Sequence, residues 1–254
     1  MEQDDIPQIR DVASATGLLS RLPVPVNESH ATARGARAAW AYPIAGFVVA
    51  LIAACIAQMA LWFGLSSILA AGLALVTLVI STGALHEDGL ADTADGLWGG
   101  WTKERRLEIM KDSHIGAYGV IALVIGLGLR WQALALVIDA GALWSGLIAV
   151  AMLSRTMMLP VMARLTHARD AGLSHSVGRP SLTTSRIGEA VGMFAALLLW
   201  QFSGLWLIGV AIASALVCAG IAKSKIGGQT GDILGATQQV TEIALLLTLA
   251  AMLA

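Results

Sequence analysis

The densest run of ionisable side chains is residues 86–100, HEDGLADTADGLWGG, in which Asp88, Asp92 and Asp95 stand at i, i+4 and i+7. If the helix of the preceding apolar span continues through this run, the three carboxylates share one face. Bare carboxylates packed together repel, so such a stripe needs a counter-charge. All-oxygen donors select hard cations, which makes Mg²⁺ (or Mn²⁺) the expected occupant of a shell built by Asp88, Asp92 and Asp95. Gly89, Gly96, Gly99 and Gly100 weaken a helix but let backbone approach a ligand closely, which suits a phosphate-facing surface. The competing reading is a solvated acidic loop capping a helix, and such a loop would gain nothing from the spacing.

Cations follow at Lys103, Arg105, Arg106 and Lys111, and more are expected on the same side at Arg155, Arg164, Arg169, Arg179, Lys223 and Lys225. Carboxylate-held Mg²⁺ beside Arg and Lys is the pairing that binds and activates phosphate esters, so the pattern points to phosphoryl-group chemistry. Taken singly, most of these cations are also what the inner face of a membrane protein and lipid headgroups require. Arg155 differs, because it is embedded in an apolar run where a guanidinium is costly without a partner. Near the C-terminus, residues 227–236, GGQTGDILGA, place glycines and Asp232 on the same face, where Asp232 could complete the metal shell. Glu242 follows ten residues later, about 15 Å deeper if helical. It is either a functional group or an interhelical hydrogen-bonding one. Asp139, toward the outer half of its span, reads as structural. His86 and His114 flank the acidic run, each a candidate base or a satisfied structural imidazole.

The elements that must position these residues are membrane helices. Of the 254 residues 57% are hydrophobic and 13% charged, and the mean hydropathy is +0.74. Those values exclude an ordinary cytosolic globule. With 16 Lys and Arg against 17 Asp and Glu, there is no basic surplus for a nucleic-acid backbone, so no nucleic-acid partner is expected. Cys55 and Cys218 lie in apolar runs and read as small core hydrophobes rather than a disulfide or zinc ligands. The start, MEQDD, lacks the basic opening and short apolar core of a cleavable signal, so the apolar segments are expected to belong to the mature protein.

Uncharged runs 40–63 and 66–85 are long enough to cross a hydrocarbon core and form a first hairpin. Runs 115–129 and 131–153, divided by Arg130, form a second hairpin. Run 190–222 carries no charge for 33 residues, about 50 Å as one helix, so a break is predicted near Ser203-Gly204. Run 233–254 supplies a last span although it holds Glu242. The reading is therefore an all-α, polytopic integral membrane bundle of about seven transmembrane helices, a single domain over 1–254. Polar segments 1–39, 86–114, 164–187 and 223–232 all emerge on one side. Only Arg130 among the Lys and Arg falls on the turn side, and the positive-inside rule then makes the polar face cytoplasmic. Trp62, Trp131, Trp200 and Trp206 lie near the predicted outer ends, as an interfacial belt requires.

The run LHEDGLADTADGLWGG at 85–100, followed by RLEIMKDSHIGAYG at 106–119, resembles the signature of the cobalamin synthase (adenosylcobinamide-GDP ribazoletransferase) family. Segments 19–25 (LSRLPVP), 40–46 (WAYPIAG), 153–155 (LSR), 168–173 (ARDAGL) and 227–236 agree in the expected order, so the likeness covers nearly the whole chain. Glu87, at what reads as a free position, and His114 depart slightly and leave the acid spacing intact. The resemblance implies an Mg²⁺-dependent inner-membrane enzyme. It would join adenosylcobinamide-GDP to α-ribazole (or its 5′-phosphate) and release GMP, in the late nucleotide-loop assembly of cobalamin biosynthesis. On that reading Asp88, Asp92, Asp95 and Asp232 hold the metal, with Asp112 a lesser candidate. Arg155 or Lys111 offsets charge on the leaving GMP, and Arg106, Arg169, Gly99 and Gly231 contact substrate. The base is open among His86, Asp92 and Glu242, and the oligomeric state is left open. The rival readings are a CDP-alcohol type phosphotransferase, whose arginine position is filled here by Asp92, and a transporter, which would need acids at mid-membrane and repeated broken helices.

Overall fold

A computed structural model describes residues 6–254; the first five residues of polar segment 1–39 lie outside the described residues. Among the described residues the structure is helical, with no strand and one isolated bridge between His167 and Gln229. The helices are α1 (Arg10–Leu19), α2 (Glu28–Arg34), a 3₁₀ segment (Gly35–Ala41), α3 (Tyr42–Trp62), α4 (Ser67–Thr82), α5 (Leu85–Gly99) and α6 (Lys103–Ile109). They continue as α7 (Ala117–Asp139), α8 (Leu143–Thr156), α9 (Met158–Arg164), α10 (Leu173–Val177), α11 (Leu182–Trp200), α12 (Ser203–Ile226) and α13 (Gly231–Leu253).

Six stretches are long and apolar enough to cross a membrane, or seven if the bent pair α4 and α5 counts as one crossing. The long apolar run breaks close to its expected place, at Gln201 and Phe202 between α11 and α12. Short turns gather at one end of the bundle. There Ser67 Oγ donates to Asp139 at 3.0 Å, Trp144 Nε1 to Gln58 at 3.1 Å, and Trp200 Nε1 to the Ser145 carbonyl at 3.1 Å. Trp62 and Trp206 are exposed near this end. The opposite end carries α1, α2, α6, α10 and the start of α13.

The second hairpin turns elsewhere than its charges suggest. α7 runs uninterrupted through Arg130 to Asp139, and the turn is Ala140–Ala142. A lone arginine reads as the end of a span because a guanidinium is costly in hydrocarbon. Here acidic partners on neighbouring helices neutralise it, so the helix continues through it. Arg130 is therefore interior and not on the turn side. Cys55 is likewise not a core residue: it is exposed on the outer surface of α3, whereas Cys218 is half-buried.

Alanine and glycine line the tightest contacts. Ala50, Ala53, Ala54 and Ala57 of α3 are fully buried, and a side chain on Gly46 would strike the Ala151 carbonyl of α8 at 2.4 Å. Small residues allow such close backbone approach, which is how membrane helices gain packing energy without a hydrophobic drive. Below the bundle, α1 is tied down by Asp11, which accepts from Arg34 Nε (2.9 Å) and Nη2 (2.8 Å), Trp40 Nε1 (2.8 Å) and the Gln8 N–H (3.0 Å). Burial pushes this carboxyl up, but Arg34, Trp40, Gln8 and His30 together hold it below the usual carboxylate range.

Five crossings, α7, α8 with α9, α11, α12 and α13, separate Ser113 from the C-terminus, an odd number. A topology reporter fused after Ala254 should therefore read the opposite side from one inserted at Ser113, and identical readouts would remove or add a span.

Candidate active site

The acidic run does not continue the second span. α4 closes with Gly83 and Ala84 both at left-handed φ (62° and 56°), their N–H groups bonding the Ile80 and Val79 carbonyls in a Schellman closure. α5 then departs at 85°. The acids thus ride on a separate amphipathic helix wedged against α7 and α13.

On α5, Asp88 is exposed, Asp92 half-buried and Asp95 buried. Asp95 accepts from the N–H of Gly116 at 2.7 Å and of Gly119 at 2.9 Å, capping the first turn of α7. A carboxylate there satisfies orphan donors and faces the positive end of the helix dipole. A Cβ on Gly116 or Gly119 would sit 2.4 Å from an Asp95 carboxylate oxygen, so the chain's HIGAYG segment is shaped to receive Asp95. Asp95 therefore departs from the expected shared stripe: it is committed to backbone, while Asp88 and Asp92 face the mouth.

Gly89 performs the second fitting. A Cβ on it would meet the Asp232 carbonyl at 2.9 Å, and one on Gly235 would meet the Gly89 Cα at 3.4 Å. The backbones of α5 and α13 thus touch, which brings Asp232 beside the α5 acids. Gly96 and Gly100 likewise serve helix contacts, abutting Met110 and Arg106, whereas Gly99 is exposed and meets only Ile109. Gly231 opens α13 beside Ser174 and Leu173.

Asp232 pairs with Arg169 Nη2 at 3.1 Å and accepts from Thr230 Oγ1 at 3.2 Å. The loop bearing Arg169 is held by Gln229. Its N–H donates to the Thr166 carbonyl (2.8 Å), its carbonyl accepts from the Ala168 N–H (2.9 Å), and its side chain accepts from Ser174 Oγ (2.7 Å). Asp92 is acted on by the charges of Asp88, Asp232 and Asp95, with Arg169 the one opposing cation. Among the described residues no three His, Cys, Asp or Glu side chains close into a metal cage. An open, oxygen-only face with surplus negative charge nevertheless fits Mg²⁺, which is commonly bound by one or two carboxylates, waters and substrate phosphates.

The chain matches the family described as cobalamin-5-phosphate synthase over residues 11–250. The chain belongs to the cobalamin-5-phosphate synthase family. Similar relatives are named adenosylcobinamide-GDP ribazoletransferase. They include proteins of Bradyrhizobium diazoefficiens (45% identical, covering 96% of this chain and 94% of the relative), Mesorhizobium japonicum (44%, 93% and 91%) and Rhizobium meliloti (42%, 94% and 95%). No solved structure matches.

Behind the acid face of this cobalamin-5-phosphate synthase relative lies a buried ionic network that sequence reading missed. Arg130 of α7 donates through Nη1 to Glu87 of α5 at 2.7 Å and to Gln239 of α13 at 3.0 Å, and pairs through Nη2 with Glu242 of α13 at 2.6 Å. All three charges are nearly solvent-free. The available signal was their opposite signs in adjacent apolar segments. Glu242 is thereby an ion-pair partner, and Glu87, on the back of α5, fastens that helix.

The remaining candidates are dispersed. Arg155 is buried, its Nη1 donating to the Ala151 carbonyl at 3.1 Å and lying 4.0 Å from Glu242, so it backs the network and does not reach the mouth. Lys111 is exposed on a separate surface with Arg105 and Asp112. Asp112 is bonded to His114 at 2.6 Å, both exposed, and this carboxylate raises the pKa of the His114 imidazole. Arg106 donates to the Lys225 carbonyl at 2.9 Å, at the C-terminal end of α12. His86 is buried beside Asp88, and its Nε2 has no hydrogen-bond partner.

Two expectations follow. Gly119→Ala should cost as much activity as Asp95→Ala, since each unseats α5 from α7; full activity in either would remove the capping role. Arg130→Ala strands Glu87 and Glu242 and should cost about 3–5 kcal/mol of stability, read from denaturation in detergent. Adding Glu87→Gln and Glu242→Gln should recover part of that loss.

Proposed function

We propose that this chain transfers the adenosylcobinamide-phosphate moiety of adenosylcobinamide-GDP to α-ribazole or its 5′-phosphate, from the cytoplasmic face of the inner membrane. The observation that carries the reading is the convergence of Asp88, Asp92 and Asp232 with Arg169 at one mouth of the bundle, in a chain matched almost end to end by ribazoletransferases. Arg130 and Arg155 are buried, while most other cations lie at or beyond the acid-bearing end, which supports a cytoplasmic mouth.

Asp88, Asp92 and Asp232 would hold Mg²⁺, with Asp95 fixing the helix that carries two of them. When bound, the ion would supply Lewis-acid polarisation of the diphosphate and offset its charge. A ribose hydroxyl of the acceptor attacks the corrinoid-side phosphorus; a P–O bond forms there as the bond to GMP breaks. The hydroxyl proton passes to His86 Nε2, a buried nitrogen without a hydrogen-bond partner. Arg169, whose Nη1 is also unpartnered, faces the charge gained by departing GMP. This assigns to Arg169 the part that the family resemblance suggested for Arg155 or Lys111.

The test is GMP release by the protein in lipid nanodiscs, with both substrates present and with Mg²⁺ or a chelator. Release should require both substrates and the metal. Asp92→Asn should lower turnover at least about 100-fold with membrane insertion unchanged, in line with the loss of a group acting on transition-state charge. Near-normal turnover of Asp92→Asn at saturating Mg²⁺ would remove it from the site, and no release by folded wild-type protein would overturn the transferase reading.

A further inference from the structure

Next to the acid face a cleft of about 120 Å³ runs inward between α1, α3, α5, α9, α10 and the start of α13. Asp88 and Asp232 stand on it, as does buried His86 with its unpartnered Nε2. The rest of the lining is chiefly aliphatic or thioether: Leu18, Leu19, Met158, Met162 and Val177. A buried nitrogen without a partner is costly to leave unsatisfied, so a cleft that keeps one is shaped for a ligand that supplies it.

We propose that this cleft is the acceptor subsite: it takes the aromatic base of the ribazole nucleoside between its Leu and Met walls and turns a ribose hydroxyl toward His86 and Asp88. The inference rests on the transferase reading above and adds where one of the two substrates lies. Three features select that occupant. At about 120 Å³ the cleft has room for one aromatic base and not for a corrinoid macrocycle with its amide side chains.

A guanine ring would need partners for its ring N–H, amino group and carbonyl. With Asp88 and Asp232 at the metal, the side-chain groups left on the lining besides His86 are the Tyr42 hydroxyl and Ser174 Oγ, which already donates to Gln229 at 2.7 Å. A dimethylbenzimidazole base has no exocyclic polar group and needs none of these. Finally, Met158 and Met162 are buried, and thioethers pack favourably on aromatic edges while adapting to ring shape. The donor's diphosphate and GMP are then left to the open side, toward Arg169.

The experiment uses full-length protein in nanodiscs, with steady-state kinetics varied in each substrate and equilibrium dialysis of labelled α-ribazole alone. Val177→Phe narrows the apolar wall and should raise KM for α-ribazole at least tenfold, leaving kcat and KM for adenosylcobinamide-GDP within twofold. Dialysis should show the same weakening without any turnover. Met158→Ala, which only removes atoms, should let the enzyme accept a ribazole with larger alkyl groups on its base, and carries the test if Val177→Phe melts early. A Val177→Phe effect on the donor KM, or wild-type and Met158→Ala proteins that treat the enlarged nucleoside alike, would overturn the assignment. Failure of wild-type GMP release strikes the transferase reading instead, and dialysis still decides whether the cleft binds the nucleoside.

Discussion

The structure hangs on one buried guanidinium. Arg130 reaches Glu87, Gln239 and Glu242 at once and so binds α5, α7 and α13 at a single point deep in the bundle. A charge so far from water is tolerable only when paired and hydrogen-bonded, and removing one partner leaves the others stranded. α5 is short, polar along its outer face and set at a steep angle to the span before it. Without Glu87 on Arg130, little in its composition would keep it seated among apolar helices.

From that seat the acid face follows by fitting. Asp95 is spent on the N-terminus of α7, where Gly116 and Gly119 leave it room, and this sets the rotation of α5. Gly89 against Gly235 sets the distance to α13. The two constraints together put Asp88 and Asp92 next to Asp232 and direct their repulsion outward, toward Arg169 and whatever cation or phosphate arrives.

The division of labour among charged residues is strict. Those with partners inside the bundle, Glu87, Arg130, Arg155 and Glu242, hold helices. Those at the mouth, Asp88, Asp92, Asp232 and Arg169, keep surfaces or atoms available. His86 sits between the groups, buried like the first and unpartnered like the second. An apolar cleft opens beside it, walled by Leu18, Leu19, Met158, Met162 and Val177.

Sequence by itself determined the helical membrane bundle, the break near residue 202 and the family, because hydropathy, run length and a dense motif are local properties. It also brought Asp232 to the same end as the acidic run, by counting spans. Tertiary structure alone decided which acids face solvent, since Asp95 and Asp92 differ only in what lies across from them. It reversed Arg130 from turn residue to interior anchor and moved Arg155 from mouth to interior, since the local signal of a charge in an apolar run cannot say whether an opposite charge waits on another helix. The glycines changed meaning for the same reason: a missing Cβ shows that something comes close, and only the fold shows that it is the backbone of α13 or the carboxylate of Asp95.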